Sequence, residues 1–149
     1  MKKILVVCMG NICRSPTGEA VLRATAKKMN LPIEVDSAGT LDFHSGNEPD
    51  FRARTAGEYR GYSFDGIVAR QVSPKDFEYF DIILAADRDN MSELLGMCPI
   101  EHTHKISLFL RHSKSGYNEI PDPYYGGDNG FELVLDLIEE ASIELLKKL

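Results

Sequence analysis

The 149-residue chain is poor in thiols and in clustered positive charge, and it has no long apolar run. No stretch approaches the roughly 20 apolar residues that a bilayer-spanning helix needs, which argues against membrane insertion. The Ile4–Val7 run after two lysines is too short for the core of a secretion signal. Three cysteines, an odd number, make no disulfide framework. They fit a reducing compartment where thiols serve chemistry, so the expected location is the cytoplasm. Lys and Arg number 17 against 23 Asp and Glu, for a net charge of −6, and the basic residues are scattered. That excludes the cationic surface expected of a nucleic-acid or anionic-membrane binder. An acidic chain that binds an anion must do so through a local field.

What is present is an ordinary globular composition, 43% hydrophobic and 27% charged, long enough for one domain over residues 1–149. There are no repeats, low-complexity tracts or linkers. Apolar patterning predicts a strand at 3–8 and a helix at about 15–29, with Ala20, Val21, Ala24 and Met29 at helical spacing. A short strand follows at Ile33–Asp36, then a polar loop and a helix at about 51–60. Gly66–Ala69 reads as a short strand, Pro74 opens a helical turn, and the unalternating run Asp81–Ala86 reads as a buried strand. A helix starts in Asp87–Leu95, and Lys105–Leu110 holds a last strand. Asn129-x-x-Glu132 resembles a capping box, ahead of an apolar stripe at Phe131, Val134, Leu135, Ile138, Ala141, Leu145 and Leu149. The expected fold is α/β: a doubly wound parallel sheet of about four strands with helices on both faces. Ligands in such sheets sit beyond the carboxyl ends of the strands, which is where Cys8 and Asp87 fall.

The first strand ends at Cys8, and the loop Met9-Gly10-Asn11-Ile12-Cys13 leads to Arg14 and then Ser15-Pro16, a helix-start signal. Cys-x5-Arg alone is common by chance. In this setting, however, backbone N–H groups from Met9 through Arg14 and a helix N-terminus would converge on one anion. The same donors and the Arg14 guanidinium would favour a thiolate at Cys8 and then grip phosphoryl oxygens, Arg14 bidentately. Ser15 could donate to the Cys8 sulfur and improve it as a leaving group. The plainer reading is a packed cysteine beside a surface arginine.

Departure of a phenol also needs a proton donor. Asp122, held between Pro121 and Pro123, is stiffened and kept out of helix, and Tyr124 and Tyr125 offer flat faces for an aromatic slot. The alternative is an ordinary Pro-Tyr-Gly turn.

Together, Val7–Pro16 and Asp122-Pro123-Tyr124-Tyr125-Gly126 resemble the phosphate loop and general-acid loop of the low-molecular-weight protein tyrosine phosphatases. Val35–Thr40, Pro49-Asp50, Ala69-Arg70-Gln71, Asp76-Phe77 and Phe80-Asp81 fall in the family's order. The resemblance implies Cys8 as nucleophile, Arg14 as transition-state clamp and Asp122 as general acid and then base. It implies Asn11, Ser15 and Ser37 as loop-bracing residues, a phosphocysteine intermediate, inorganic phosphate as product, and neither metal nor organic cofactor. It also implies phosphotyrosine-containing proteins as partners; bacterial members often oppose tyrosine autokinases. Two departures stand out. Ile67 occupies the region where many members carry a histidine, so part of the network around Asn11 and Ser37 is expected to be missing or replaced by water. Phe43 stands for a pocket-wall Trp or Tyr, which keeps the ring and predicts altered substrate preference.

Cys8 and Cys13 lie in one loop, so oxidant could join them and protect Cys8 from over-oxidation; equally, Cys13 could simply be packed. Two rival functions share the loop. A thioredoxin-coupled arsenate reductase would need a cysteine relay, and only Cys98 remains to build one. A non-hydrolytic phosphate-binding or phosphocarrier module would not need Arg14 and Asp122 together. Cys98, His102 and His104 are loosely spaced like metal ligands, but structural zinc normally takes four. His44 and His112 are expected on solvated loops.

Overall fold

The computed structural model describes residues 1–124 and 128–149, with the backbone alone at 128 and 129. Strands β1 (Lys2–Cys8), β2 (Ile33–Gly39), β3 (Ile82–Ala85) and β4 (Ile106–Leu108) form one sheet in the order β2-β1-β3-β4. Every pairing is parallel. Helices α1 (Arg14–Lys28), α2 (Phe51–Tyr59), α3 (Pro74–Tyr79), α4 (Arg88–Met97) and α5 (Asp128–Leu146) connect or flank the strands. A 3-10 helix spans Ile100–Lys105.

β1 is central, and Ile4, Leu5, Val6 and Val7 have no solvent exposure. Successive side chains on a strand point to opposite faces. Ile4, Val6 and Cys8 accordingly join Val21 and Leu22 of α1 and Leu135 and Ile138 of α5. Leu5 and Val7 join Phe77 of α3 and Leu94 of α4 on the other face. Full burial of each such aliphatic side chain contributes about 1.5–3 kcal/mol. Because β2 and β3 flank β1 on opposite sides, the carboxyl end of β1 is the point where the strand order reverses. A crevice opens there in sheets of this kind, and the Cys8–Arg14 loop occupies it.

Several boundaries differ from expectation. Residues 66–69 form no strand: Ala69 N–H donates to the Asn47 carbonyl, the Ala69 carbonyl accepts from Gly46, and only Gln71 bridges to Gly39. The apolar run there reflects burial of Ile67 and Ala69 beneath loops and helices, not sheet pairing. β2 runs on to Gly39, pairing with β1 through its Ser-Ala-Gly end. A side chain at Gly39 would place Cβ 2.7 Å from the Met9 carbonyl oxygen, so glycine lets the phosphate-side loop cross the strand. α1 starts at Arg14 with Cys13 as its N-cap residue, and Ser15 is not a cap. α5 begins at Asp128, one residue before the expected capping Asn129, whose side chain lies outside the described residues. Leu149 lies past the end of α5 and is 42% exposed, unlike the rest of the stripe.

Candidate active site

Cys8 ends β1 with only 3% exposure, directly below the N-terminus of α1. The Asn11 and Ser15 backbone N–H groups donate to its Sγ at 3.3 and 3.4 Å, and Ser15 Oγ lies at 3.0 Å. Asn11 is held left-handed at φ 57°, a conformation that Asn tolerates better than most residues. Its buried side chain pins the turn: Nδ2 donates to Ser15 Oγ at 2.7 Å and Ser37 Oγ at 3.0 Å, while Oδ1 accepts from Arg70 N at 3.0 Å. Ser15 is thus used on the sulfur rather than on the helix end.

Arg14 is 4% exposed, and its Nη1 donates to Asp87 Oδ2 at 2.7 Å and to the Ile120 carbonyl at 2.9 Å. Nε and Nη2 make no hydrogen bond among the described residues, and Arg14 lines the cavity. Burial by itself would lower the Arg14 pKa, but Cys8 and Asp87 outweigh it and hold the guanidinium above its ordinary value. Asp122 stands across from it, with Oδ2 3.9 Å from Arg14 Nη2. Asp122 Oδ1 accepts from Tyr124 N at 3.0 Å, which fixes the carboxyl group in an Asx turn.

The cavity over Cys8 is about 180 Å³ and is walled by Met9, Gly10, Ile12, Leu41, Phe43, His44 and Tyr124. Phe43 is 82% exposed and stands at the rim, edge-on to His44. A thiol under converging donors, an anchored guanidinium and a carboxyl group around one slot can accept a phosphorylated ring, bond to phosphorus and manage a proton. The family model for low molecular weight phosphotyrosine protein phosphatase matches residues 3–149.

The chain belongs to this family.

It is 42% identical over 149 residues to the low molecular weight protein-tyrosine-phosphatase YfkJ of Bacillus subtilis, covering 98% of this chain and 94% of the relative. A protein tyrosine phosphatase from Entamoeba histolytica, crystallised with Hepes in the active site, superposes with a TM-score of 0.96 at 42% identity, over 99% of this chain and 96% of that one. Wzb of Vibrio vulnificus, solved with benzylphosphonate, gives a TM-score of 0.88 at 34% identity over 99% of each chain. The protein is therefore a protein-tyrosine-phosphatase, a hydrolase, on the α/β fold expected from its sequence.

Within this phosphatase the structure brings Cys8, Arg14 and Asp122 together, with Met9, Gly10, Ile12, Cys13, Phe43 and Tyr124 around them. Asn11, Ser15 and Ser37 meet behind the sulfur. Tyr125, expected as a second wall, lies outside the described residues. His44 is on an exposed loop, as expected, but half-buried there it also lines the cavity, 6.3 Å from the Tyr124 ring between centroids. The network around Asn11 and Ser37 is closed without the histidine. Ser37 Oγ donates to buried Glu19, whose other oxygen is held by Arg23, while Ile67 packs with Ala20 and Phe64.

Sequence reasoning missed Glu19, Asp87 and His44. Asp87 had a signal, an acid at the carboxyl end of a buried strand, where it both caps α4 and anchors Arg14. Glu19 had none, since a helical glutamate four residues from an arginine reads as a surface pair. Cys13 is packed against Ala53 and Phe131, and burial, then Asp50, push its thiol well above the ordinary value. Cys98 follows α4, which runs back about 15 Å from the active edge of the sheet. It does not line the cavity over Cys8. None of the described helices is long and apolar enough to cross a membrane.

Proposed function

We propose that the protein hydrolyses phosphotyrosine in proteins in two steps, at Cys8. The Cys8 thiolate forms a bond to phosphorus in line with the departing oxygen. The P–O bond to the ring breaks, and Asp122 gives its proton to the phenolate. Water then attacks the phosphocysteine, Asp122 takes a proton from it, the S–P bond breaks, and inorganic phosphate leaves. Arg14 grips two equatorial oxygens through Nε and Nη2 while the N–H groups of residues 9–14 hold the remainder. Ser15, 3.0 Å from the sulfur, stabilises the thiolate as it leaves in the second step.

The observation that carries this reading is the position of Asp122 Oδ2 across one small cavity from a sulfur at a helix N-terminus. Depth supplies selectivity: a phosphorylated ring reaches Cys8 past Phe43 and Tyr124, whereas phosphoserine is too short. The benzylphosphonate bound by Wzb, an arylalkyl phosphonate, is the ligand type such a slot fits. The cytoplasmic partners would be phosphotyrosine proteins, a tyrosine autokinase among them.

The test compares phosphotyrosine, phosphoserine and arsenate with thioredoxin, using wild type and Cys8→Ser. Turnover of phosphotyrosine alone, lost in Cys8→Ser, is expected. Arsenate reduction without phosphotyrosine hydrolysis would overturn the assignment.

A further inference from the structure

The Asp122 carboxyl group stands between two pinned stretches of backbone. Its Oδ2 is 3.9 Å from Arg14 Nη2, beyond hydrogen-bond reach. Before it, the Ile120 N–H donates to the Ala86 carbonyl at 2.8 Å and the Ile120 carbonyl accepts from Arg14 at 2.9 Å. After it, the Tyr124 N–H closes the Asx turn on Asp122 Oδ1, and the Tyr124 carbonyl accepts from Arg52 Nη2 at 2.9 Å. Arg52 comes from the first turn of α2, and it is braced for this contact. The two Asp50 carboxylate oxygens accept from its Nε and Nη2, each at 3.2 Å, a two-point grip that fixes the guanidinium plane. Burial by itself would raise the Asp50 pKa, but the bonds from Arg52 outweigh it and hold the carboxyl group below its ordinary value. The guanidinium carbon of Arg52 lies 5.4 Å from the centre of the Tyr124 ring and 4.8 Å from that of Phe131 in the first turn of α5, within cation–π range. Asp50 in turn caps α2, and its own N–H donates to the carbonyl of Ile12 in the phosphate loop at 2.7 Å. One chain of contacts therefore runs from the phosphate loop through Asp50 and Arg52 to Tyr124 and Asp122. A helical arginine has a simpler option, which Arg54 takes by pairing with Glu58 one turn on. Arg52 instead reaches across to the loop that carries the acid.

We infer that Arg52 is a positioning residue for the general acid: it clasps the Asp122 loop to the phosphate loop, so that the carboxyl group is in place when the phosphoryl group arrives. The inference rests on the reading of Asp122 as proton donor. An acid displaced by about 1 Å transfers its proton poorly, and the loss is felt only where the departing oxygen needs that proton. Arg52 thus governs the same quantity as Asp122, the sensitivity of the rate to the leaving group. Capture of phosphate belongs to Arg14 and the loop N–H groups and does not pass through it. An arginine that merely packed α2 against α5 would change neither selectively.

The experiment measures kcat/KM for a series of aryl phosphates, from strongly acidic phenols to phosphotyrosine. Wild type is compared with Arg52→Met, Asp50→Asn, Asp122→Asn and the double variant Arg52→Met/Asp122→Asn. Arg52→Met is expected to lose about tenfold with phosphotyrosine and about twofold or less with the most acidic phenol, which steepens its plot against leaving-group pKa. Asp50→Asn keeps a cap on α2 and removes the charge that steadies the guanidinium, so it should steepen the plot by a smaller amount. Inhibition by inorganic phosphate should stay within about twofold of wild type in both. With no acid to place, the double variant should match Asp122→Asn within about twofold. A loss equal across the series, or a double variant in which the two single losses multiply, overturns the clasp. So does a wild-type slope in Arg52→Met, or in Asp50→Asn where Arg52→Met does not fold. A wild-type slope in Asp122→Asn overturns instead the acid reading itself, and the inference with it.

Discussion

The Ser37 hydroxyl donates to the buried Glu19 carboxylate at 2.6 Å, and this contact makes Ser37 an acceptor in the hydrogen-bond network that runs through Asn11 and Ser15 to Cys8. With its proton given to Glu19, Ser37 Oγ can only accept from Asn11 Nδ2, at 3.0 Å. The other Nδ2 proton goes to Ser15 Oγ at 2.7 Å, so the Ser15 hydroxyl donates onward, to Cys8 Sγ at 3.0 Å or to the more distant Ala38 carbonyl at 3.4 Å. Arg23 supplies the charge that a carboxylate with 6% side-chain exposure requires. Ser37→Ala removes the middle of this chain and frees the Asn11 amide to rotate. A fall in kcat of about 10- to 100-fold is expected, with KM for p-nitrophenyl phosphate nearly unchanged, because the error is one of placement. Glu19→Gln keeps an acceptor and should be milder. Unchanged kcat in Ser37→Ala would separate the network from catalysis.

Arg14 keeps its orientation through Asp87, and their contact at 2.7 Å is between groups 4% and 21% exposed. Asp87→Asn preserves shape and the cap on α4 but takes away the charge. A drop of about 100-fold in kcat/KM for aryl phosphates is expected, since the guanidinium must be aligned before the phosphoryl group arrives. Phosphate inhibition should weaken in parallel. Steady-state kinetics with inorganic phosphate as competitive inhibitor reads both, and a loss of stability without loss of phosphate binding would assign Asp87 to the helix cap alone.

Where a residue's role follows from its place along the chain, the sequence told it. Cys8 and Arg14 are readable because strand, loop and helix start follow one another within 14 residues. The parallel sheet is readable because Ile82–Ala85 and Ile4–Val7 are apolar without alternation, as strands covered on both faces must be. Glu19 was not readable, because only the fold reveals that its helix face turns toward Ser37, 18 residues on. The segment 66–69 misled for a related reason: its apolar residues are buried, but against helix and loop, and burial alone does not make a strand. Asp122 lay between these cases. The prolines marked a stiff turn, yet its approach to Arg14, 108 positions earlier in sequence, is a property of the fold.

With Asp122 as the proton donor, the cost of removing it depends on the leaving group. Asp122→Asn keeps an Asx turn but has no proton to give. For phosphotyrosine, whose phenolate is a poor leaving group, a loss of about 100- to 10,000-fold is expected. For aryl phosphates with strongly acidic phenols the loss should shrink steadily. A plot of log kcat/KM against leaving-group pKa should be steeper for the variant than for wild type. Parallel lines would falsify the acid role.

Away from the site, Tyr62 donates to Glu139 on α5, and Arg60 gathers Glu132, Asp136 and Glu139 beside it. Burial, then the bond to Glu139, push the Tyr62 phenol from 10.0 up to about 12. A raised value means that the fold favours the protonated form. Its contribution is fully present below the unfolded value of 10.0 and is lost as pH rises through about 12. Tyr62→Phe should cost about 1 kcal/mol at neutral pH. The gap from wild type should narrow between pH 10 and 12 in urea unfolding; a gap constant across that window would contradict the coupling.

Cys13 lies in the phosphate loop with 5% exposure, and the burial that packs it against Ala53 and Phe131 also keeps its thiol protonated. Cys8 instead receives N–H donors at 3.3 and 3.4 Å, so peroxide should meet Cys8 first and form the sulfenic acid there. Cys13 should then act as the resolving thiol: once freed from the packing that keeps it protonated, it gives up its proton, attacks the Cys8 sulfur and expels water to give the disulfide. Mild peroxide should therefore yield a Cys8–Cys13 disulfide by mass spectrometry, with activity recovered by thiol reductant. Cys13→Ser should keep turnover but lose it irreversibly to peroxide, as Cys8 passes on to the sulfinic acid. Irreversible loss at equal rates in wild type and Cys13→Ser would show that Cys13 is only a packed residue.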